Sequence, residues 1–169
     1  GASGESDYSF DFGVVSGFDY GDLPEGGSKD FPTAGSGAGD RPRHSLGTGL
    51  ALGVTVDGEA DGQPNSSATG DGADEDGFTS LPDLVPGETY AIPFNVTVGT
   101  ATGPYYLNAW IDFNCNGVLT DSSEQIATGL VVVGGSNTLT FTVPADATSG
   151  SSFARFRLST TETLAPTGD

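Results

Sequence analysis

Two stretches of this chain concentrate the oxygen donors that hold hard cations. Between Asp57 and Asp76 stand seven acidic residues and no basic one, namely Asp57, Glu59, Asp61, Asp71, Asp74, Glu75 and Asp76, spaced largely by Gly, Ala, Gln and Asn. Like charges on a turn-prone backbone repel, so such a loop is ordered only when counter-charge sits among the carboxylates. Ca2+ suits that role, since it takes about six to eight oxygen ligands at roughly 2.3–2.6 Å. The alternative is a solvated acidic loop.

The second stretch, Asp112-Phe113-Asn114-Cys115-Asn116-Gly117, follows the opening of the D-x-[DN]-x-[DN]-G calcium pattern, with Val118 placed to offer a backbone carbonyl. The bidentate Glu of a helix-loop-helix site would fall at Ser123, whereas Glu124 comes one residue later. The flanks read as strands, so a strand-loop calcium site is expected, with an Asn-Gly hairpin as the alternative. Asp19 and Asp22, in Phe18 to Pro24, add two carboxylates at turn spacing. The candidate metal ligands are therefore Asp19, Asp22, Asp57, Glu59, Asp61, Asp71, Asp74, Glu75, Asp76, Asp112, Asn114, Asn116, Val118 and Glu124, for several Ca2+ ions.

Arg41, Arg43 and His44 form the one basic cluster, close in sequence to the acidic loop. They are the candidate ligand-binding residues, able to orient an external carboxylate beside a loop-held calcium ion. Internal pairing is the competing role for the arginines, and a hydrogen-bonded structural role the competing one for His44. Trp110 and Tyr105-Tyr106 read as packing residues, with a sugar-stacking platform as the alternative. No Ser-His-Asp, Cys-His, H-E-x-x-H or P-loop pattern is present, so no catalytic residue is assigned and the chain does not read as an enzyme.

With 23 acids against five bases the formal charge is −18. That balance disfavours nucleic acid and anionic membrane as partners. The single Cys115 cannot form an internal disulfide, which leaves cross-linking to cations. No apolar run approaches the roughly 20 residues of a membrane span, and Gly1 to Glu5 is no signal peptide. The chain reads as a single monomeric domain over residues 1–169, cut from a longer exported polypeptide.

These sites need rigid elements to hold them, and the periodicity is that of strands. Thr89 to Val98, Tyr105 to Phe113, Gln125 to Val133, Asn137 to Val143 and Ser152 to Ser159 are the strand candidates, with turn residues between them. In the last two, Leu139, Phe141, Val143, Ala154, Phe156 and Leu158 would face inward. Thr138, Thr140, Thr142, Arg155 and Arg157 would face solvent. In the first half only Phe10 to Val15 and Leu50 to Val56 look like strands. The expected fold is all-β, a calcium-stabilised β-sandwich with long Gly/Asp-rich loops.

The order Asp19-Tyr20-Gly21-Asp22 with Pro24, Arg43-His44, Val56 to Pro64, Asp74 to Gly77, Ala109 to Asn114, Glu124-Gln125-Ile126 and Ala154 to Ser159 resembles the GEVED-type domain of bacterial secreted and surface proteins. That resemblance runs from about residue 18 onward. Such domains typically continue past a Pro-Thr-Gly segment into an acidic Gly-Glu-Val-Glu-Asp signature, where this chain has Pro166-Thr167-Gly168-Asp169. The composition and calcium loops are also similar to the ligand-binding regions of giant RTX adhesins. The resemblance implies a secreted or cell-surface module that captures peptide or protein C-termini on host or neighbouring cells. A calcium-dependent carbohydrate-binding module, with glycans as partners, and a structural spacer are the alternatives.

Overall fold

The period-two runs of the second half become the long strands of the protein. The computed structural model describes residues 17–26, 28–33, 41–56, 58–70, 77–78 and 81–168. Along these run β1 (Phe18–Tyr20), β2 (Arg43–Ser45), β3 (Ala51–Leu52), β4 (Thr89–Thr97), β5 (Tyr105–Ile111), β6 (Gln125–Val132), β7 (Gly135–Thr142) and β8 (Ala154–Ser159). One three-stranded sheet has the order β3-β4-β7, a second has β6-β5-β8, and β1 pairs with β2. Every pairing is antiparallel. The protein is all-β, as its sequence pattern predicts.

Alternation decides what meets between the two sheets. Ile92, Phe94, Val96, Leu139 and Phe141 of one sheet share a core with Leu107, Ala109, Ile111 and Leu158 of the other. Phe78 joins them, stacked between Phe94 and Phe156 at centroid distances of 4.8 and 4.0 Å. Thr138, Thr140 and Thr142 face solvent as expected.

The outer face of the β6-β5-β8 sheet departs from expectation. Asn108 and Trp110 point away from the core, yet both are buried, as are Arg155 and Arg157 at 6% and 1% exposure. The solvent-facing assignment of the two arginines is thus corrected. Alternation placed them on the right side of the strand, but that side carries a second layer. Leu23, Phe31 and Leu119 pack on Trp110, joined by Phe153 and Leu164. The tail lies over the arginines: Arg155 donates to Pro166 O at 2.8 Å and Pro32 O at 3.0 Å, and Arg157 to Ala165 O and Gly168 O, both at 2.8 Å. Carbonyl groups satisfy guanidinium donors that would otherwise be costly to bury.

The first half forms less strand than expected, and elsewhere. Leu50 to Val56 contracts to Ala51–Leu52, ending at Gly53, whose φ of +100° leaves the extended region. Phe10 to Val15 lies outside the described residues. The short strands β1 and β2 were not foreseen. Residues 59–65 run beside β1 and its extension, with Glu59 N–H donating to Phe18 O at 3.1 Å and Gln63 N–H to Gly21 O at 3.2 Å. Backbone hydrogen bonds therefore order this part of the acidic stretch. No helix among the described residues is long and apolar enough to cross a membrane.

Candidate metal centre

Asp112 follows the last residue of β5 with the parity of Asn108 and Trp110, which brings it to the rim of the outer layer. Its amide donates to Phe153 O at 2.9 Å and its carbonyl accepts from Ser152 Oγ at 2.7 Å, so its backbone is fixed from both sides. The carboxylate is fully buried. Oδ1 accepts from Asn116 N–H and Oδ2 from Gly117 N–H, each at 3.0 Å. Asn114 Oδ1 accepts from Asn116 N–H, and Asn116 Oδ1 from Val118 N–H, also at 3.0 Å. Gly117 has a φ of +86°, and a Cβ there would lie 2.9 Å from Lys29 Cα and Ser28 O, so the turn and the close approach of residues 28–30 both require glycine.

The sequence reading missed Asp121, which lies at the centre of the loop. Its Oδ2 accepts from Asn114 Nδ2 at 2.7 Å and from Asn116 Nδ2 at 2.8 Å. An amide offers its nitrogen to a carboxylate or, turned over, its oxygen to a cation. Asp121 stands at the tenth loop residue, between the positions that the helix-loop-helix pattern assigns to ligands, and that offset hid it.

Glu124 supplies the decisive chemistry. It is fully buried, and neither carboxylate oxygen has a side-chain hydrogen-bond partner. Its backbone is anchored, with N–H donating to Asp121 O at 3.0 Å and the carbonyl accepting from Ile111 N–H at 2.9 Å. Burial, then the charges of Asp112 and Asp121, push its pKa up from 4.5 to about 7, against a smaller downward pull from the amides of Asp121 and Asn114. A carboxyl near 7 also suits a general acid, but Glu124 has no exposed surface for a substrate to reach. Among the described residues no three His, Cys, Asp or Glu side chains converge closely enough to hold an ion by themselves. A centre here draws on amide and carbonyl oxygens as well.

Residues 106–169 match the family model of the GEVED domain. Over that stretch the chain is similar to the GEVED domain. No curated protein and no solved structure shows significant similarity to the chain. The GEVED match begins in β5 and takes in the Asp112 loop, Glu124, both buried arginines and the tail that they hold.

Upstream of the GEVED match the described candidate residues bond to several different backbone groups and side chains. Asp22 accepts from Gly70 N–H at 2.9 Å, and Glu59 from Tyr20 N–H at 3.0 Å. Asp61 accepts from the neighbouring Gly62 N–H at 2.9 Å. Asp57, Asp71, Asp74, Glu75 and Asp76 lie outside the described residues. Arg41 pairs with Glu25 at 3.1 Å, and Arg43 lies over the Phe18 ring at 4.4 Å. Trp110 is 2% exposed, a packing residue of the outer layer.

His44 sits opposite Asp19 across β1 and β2, with Nδ1 3.8 Å from Asp19 Oδ2. Its Nε2 accepts from Arg157 Nε–H at 3.4 Å, a geometry that needs the neutral ring. Burial, then Arg157 and Arg155, lower its pKa from 6.5 to about 4. The unfolded chain takes up a proton below 6.5 that the folded chain refuses until about 4, so this residue costs stability as pH falls through that window. In His44→Gln that loss is absent. Melting of both proteins in chelator across this range should show the parent falling relative to the variant on acidification, and parallel curves would contradict the assignment.

Proposed function

We propose that this protein is a calcium-dependent ligand-binding module of a bacterial surface adhesin, in which Asp112, Asn114, Asn116, Asp121, Glu124 and the Val118 carbonyl hold one ion. Glu124 carries the reading. A fully buried carboxylate with no side-chain partner, facing two more carboxylates, is a costly arrangement that a divalent cation relieves. Calcium supplies that charge and ties the end of β5 to the start of β6. The seven acidic residues between Asp57 and Asp76 and the −18 net charge favour further ions.

For the ligand, the basic cluster supports an anionic group. Arg41 lines a cavity of about 340 Å³ with Glu25, Asp30, Pro32 and Thr167, and Arg43 and His44 line another of about 380 Å³ with Phe18 and Leu164. An entering peptide carboxylate can exchange with Glu25 for Arg41. Peptides with a free C-terminus should bind in calcium, and their C-terminally amidated forms at least about tenfold more weakly, as loss of a charge-assisted pair requires. Equal binding of the two, or binding that persists in chelator, overturns peptide capture. A positive glycan array with no peptide binding transfers the module to carbohydrate.

A further inference from the structure

One basic residue reaches the candidate centre from far away in sequence. Lys29 Nζ lies 3.2 Å from Asp112 Oδ2, joining the outer layer to the loop. The Lys29 side chain is 21% exposed while that of Asp112 is fully buried. The backbone of residues 28–30 is pressed against Gly117, so the lysine is carried to the loop by a close contact rather than by its long stem alone. Its ammonium also lies 5.8 Å from the Phe153 ring centroid, where an aromatic face offers a second resting place for positive charge.

We propose that Lys29 is a built-in competitor of calcium, a resident counter-cation that neutralises Asp112 when the centre holds no ion and weakens metal binding when one arrives. This inference rests on the calcium reading of the Asp112 loop. One positive charge beside three carboxylates leaves the cluster net negative, which is consistent with Glu124 staying unpartnered while Asp112 is paired. A divalent ion beside the same Asp112 meets the repulsion of the ammonium or takes its place. Lys29 thereby holds the protein folded at low calcium at the expense of affinity, and couples occupancy of the loop to residues 28–31 of the layer over Trp110.

The test compares the parent with Lys29→Gln and Lys29→Arg by calcium calorimetry and by melting in chelator and in calcium. Lys29→Gln should bind calcium about tenfold more tightly, since the competing charge is gone, and should melt lower than the parent in chelator because Asp112 is then buried without a cation. Its calcium-induced rise in melting temperature should exceed that of the parent. Lys29→Arg, which keeps the charge, should gain no affinity. Unchanged or weaker affinity in Lys29→Gln, with calcium bound normally by the parent, overturns the competitor role and leaves the calcium reading intact. An absence of calcium binding in all three proteins overturns both.

Discussion

Glu124→Gln is expected to stabilise the protein in chelator and, on the calcium reading, to remove the part of its calcium response that comes from the Asp112 loop. The two effects have one cause. Above about pH 7 the native Glu124 must ionise in a buried site beside Asp112 and Asp121, while the unfolded chain ionises it freely at 4.5. The sign follows from linkage. A carboxyl whose folded pKa is raised costs nothing below 4.5, costs progressively more up to about 7, and costs its full amount beyond. The neutral isostere recovers that cost at pH 8, less whatever its own buried amide loses. In calcium the order of stability reverses, because the parent gains a ligand that binds only the folded state. Chemical denaturation in chelator and in calcium reads both arms. A variant that is weaker than the parent in chelator would show that Glu124 has a partner in solution.

Truncation of Arg157 to Ala has the largest expected effect on the fold itself. The side chain is 1% exposed and donates to Ala165 O, Thr167 O, Gly168 O, Arg43 O and His44 Nε2. One guanidinium thus binds the tail, β2 and β8 together. Removing it empties a buried volume and strips a donor from several carbonyl groups at once, a loss of about 3–5 kcal/mol. In a domain of this size that lowers the melting temperature by roughly 10 °C or more. Arg157→Lys rescues little, since a single ammonium cannot span the same fork of acceptors. Limited proteolysis should then cut within residues 160–168, and a variant whose tail stays protected would contradict the clasp. Arg155 is held in the same field, its pKa lowered by burial and by Arg157, with Asp22 and Glu25 opposing the shift.

The long strands were legible because their side chains alternate, and alternation is local information. What covers a strand is not local. Arg155 and Arg157 read as solvent-facing because parity says only that they oppose Ala154, Phe156 and Leu158. The layer that buries them comes from the tail and from residues more than 100 positions away, as the Arg155 bonds to Pro166 and Pro32 show. The strands β1 and β2 span three residues each, too short for a period to declare itself. The Asp112 loop was visible since its donors recur every second residue, whereas Asp121 falls off that spacing. Lys29 had no signal at all, since its approach to Asp112 spans 83 residues.

The most direct test of the calcium account is a calorimetric titration of the chelator-stripped protein beside the double variant Asp121→Asn/Glu124→Gln. Both substitutions keep the shape of the side chain while removing two charges from the centre. The account predicts that the parent binds calcium with at least one ion more than the variant, and that both show the same strand content by circular dichroism. An equal number of ions in the two proteins, or no heat of binding in the parent, would contradict it.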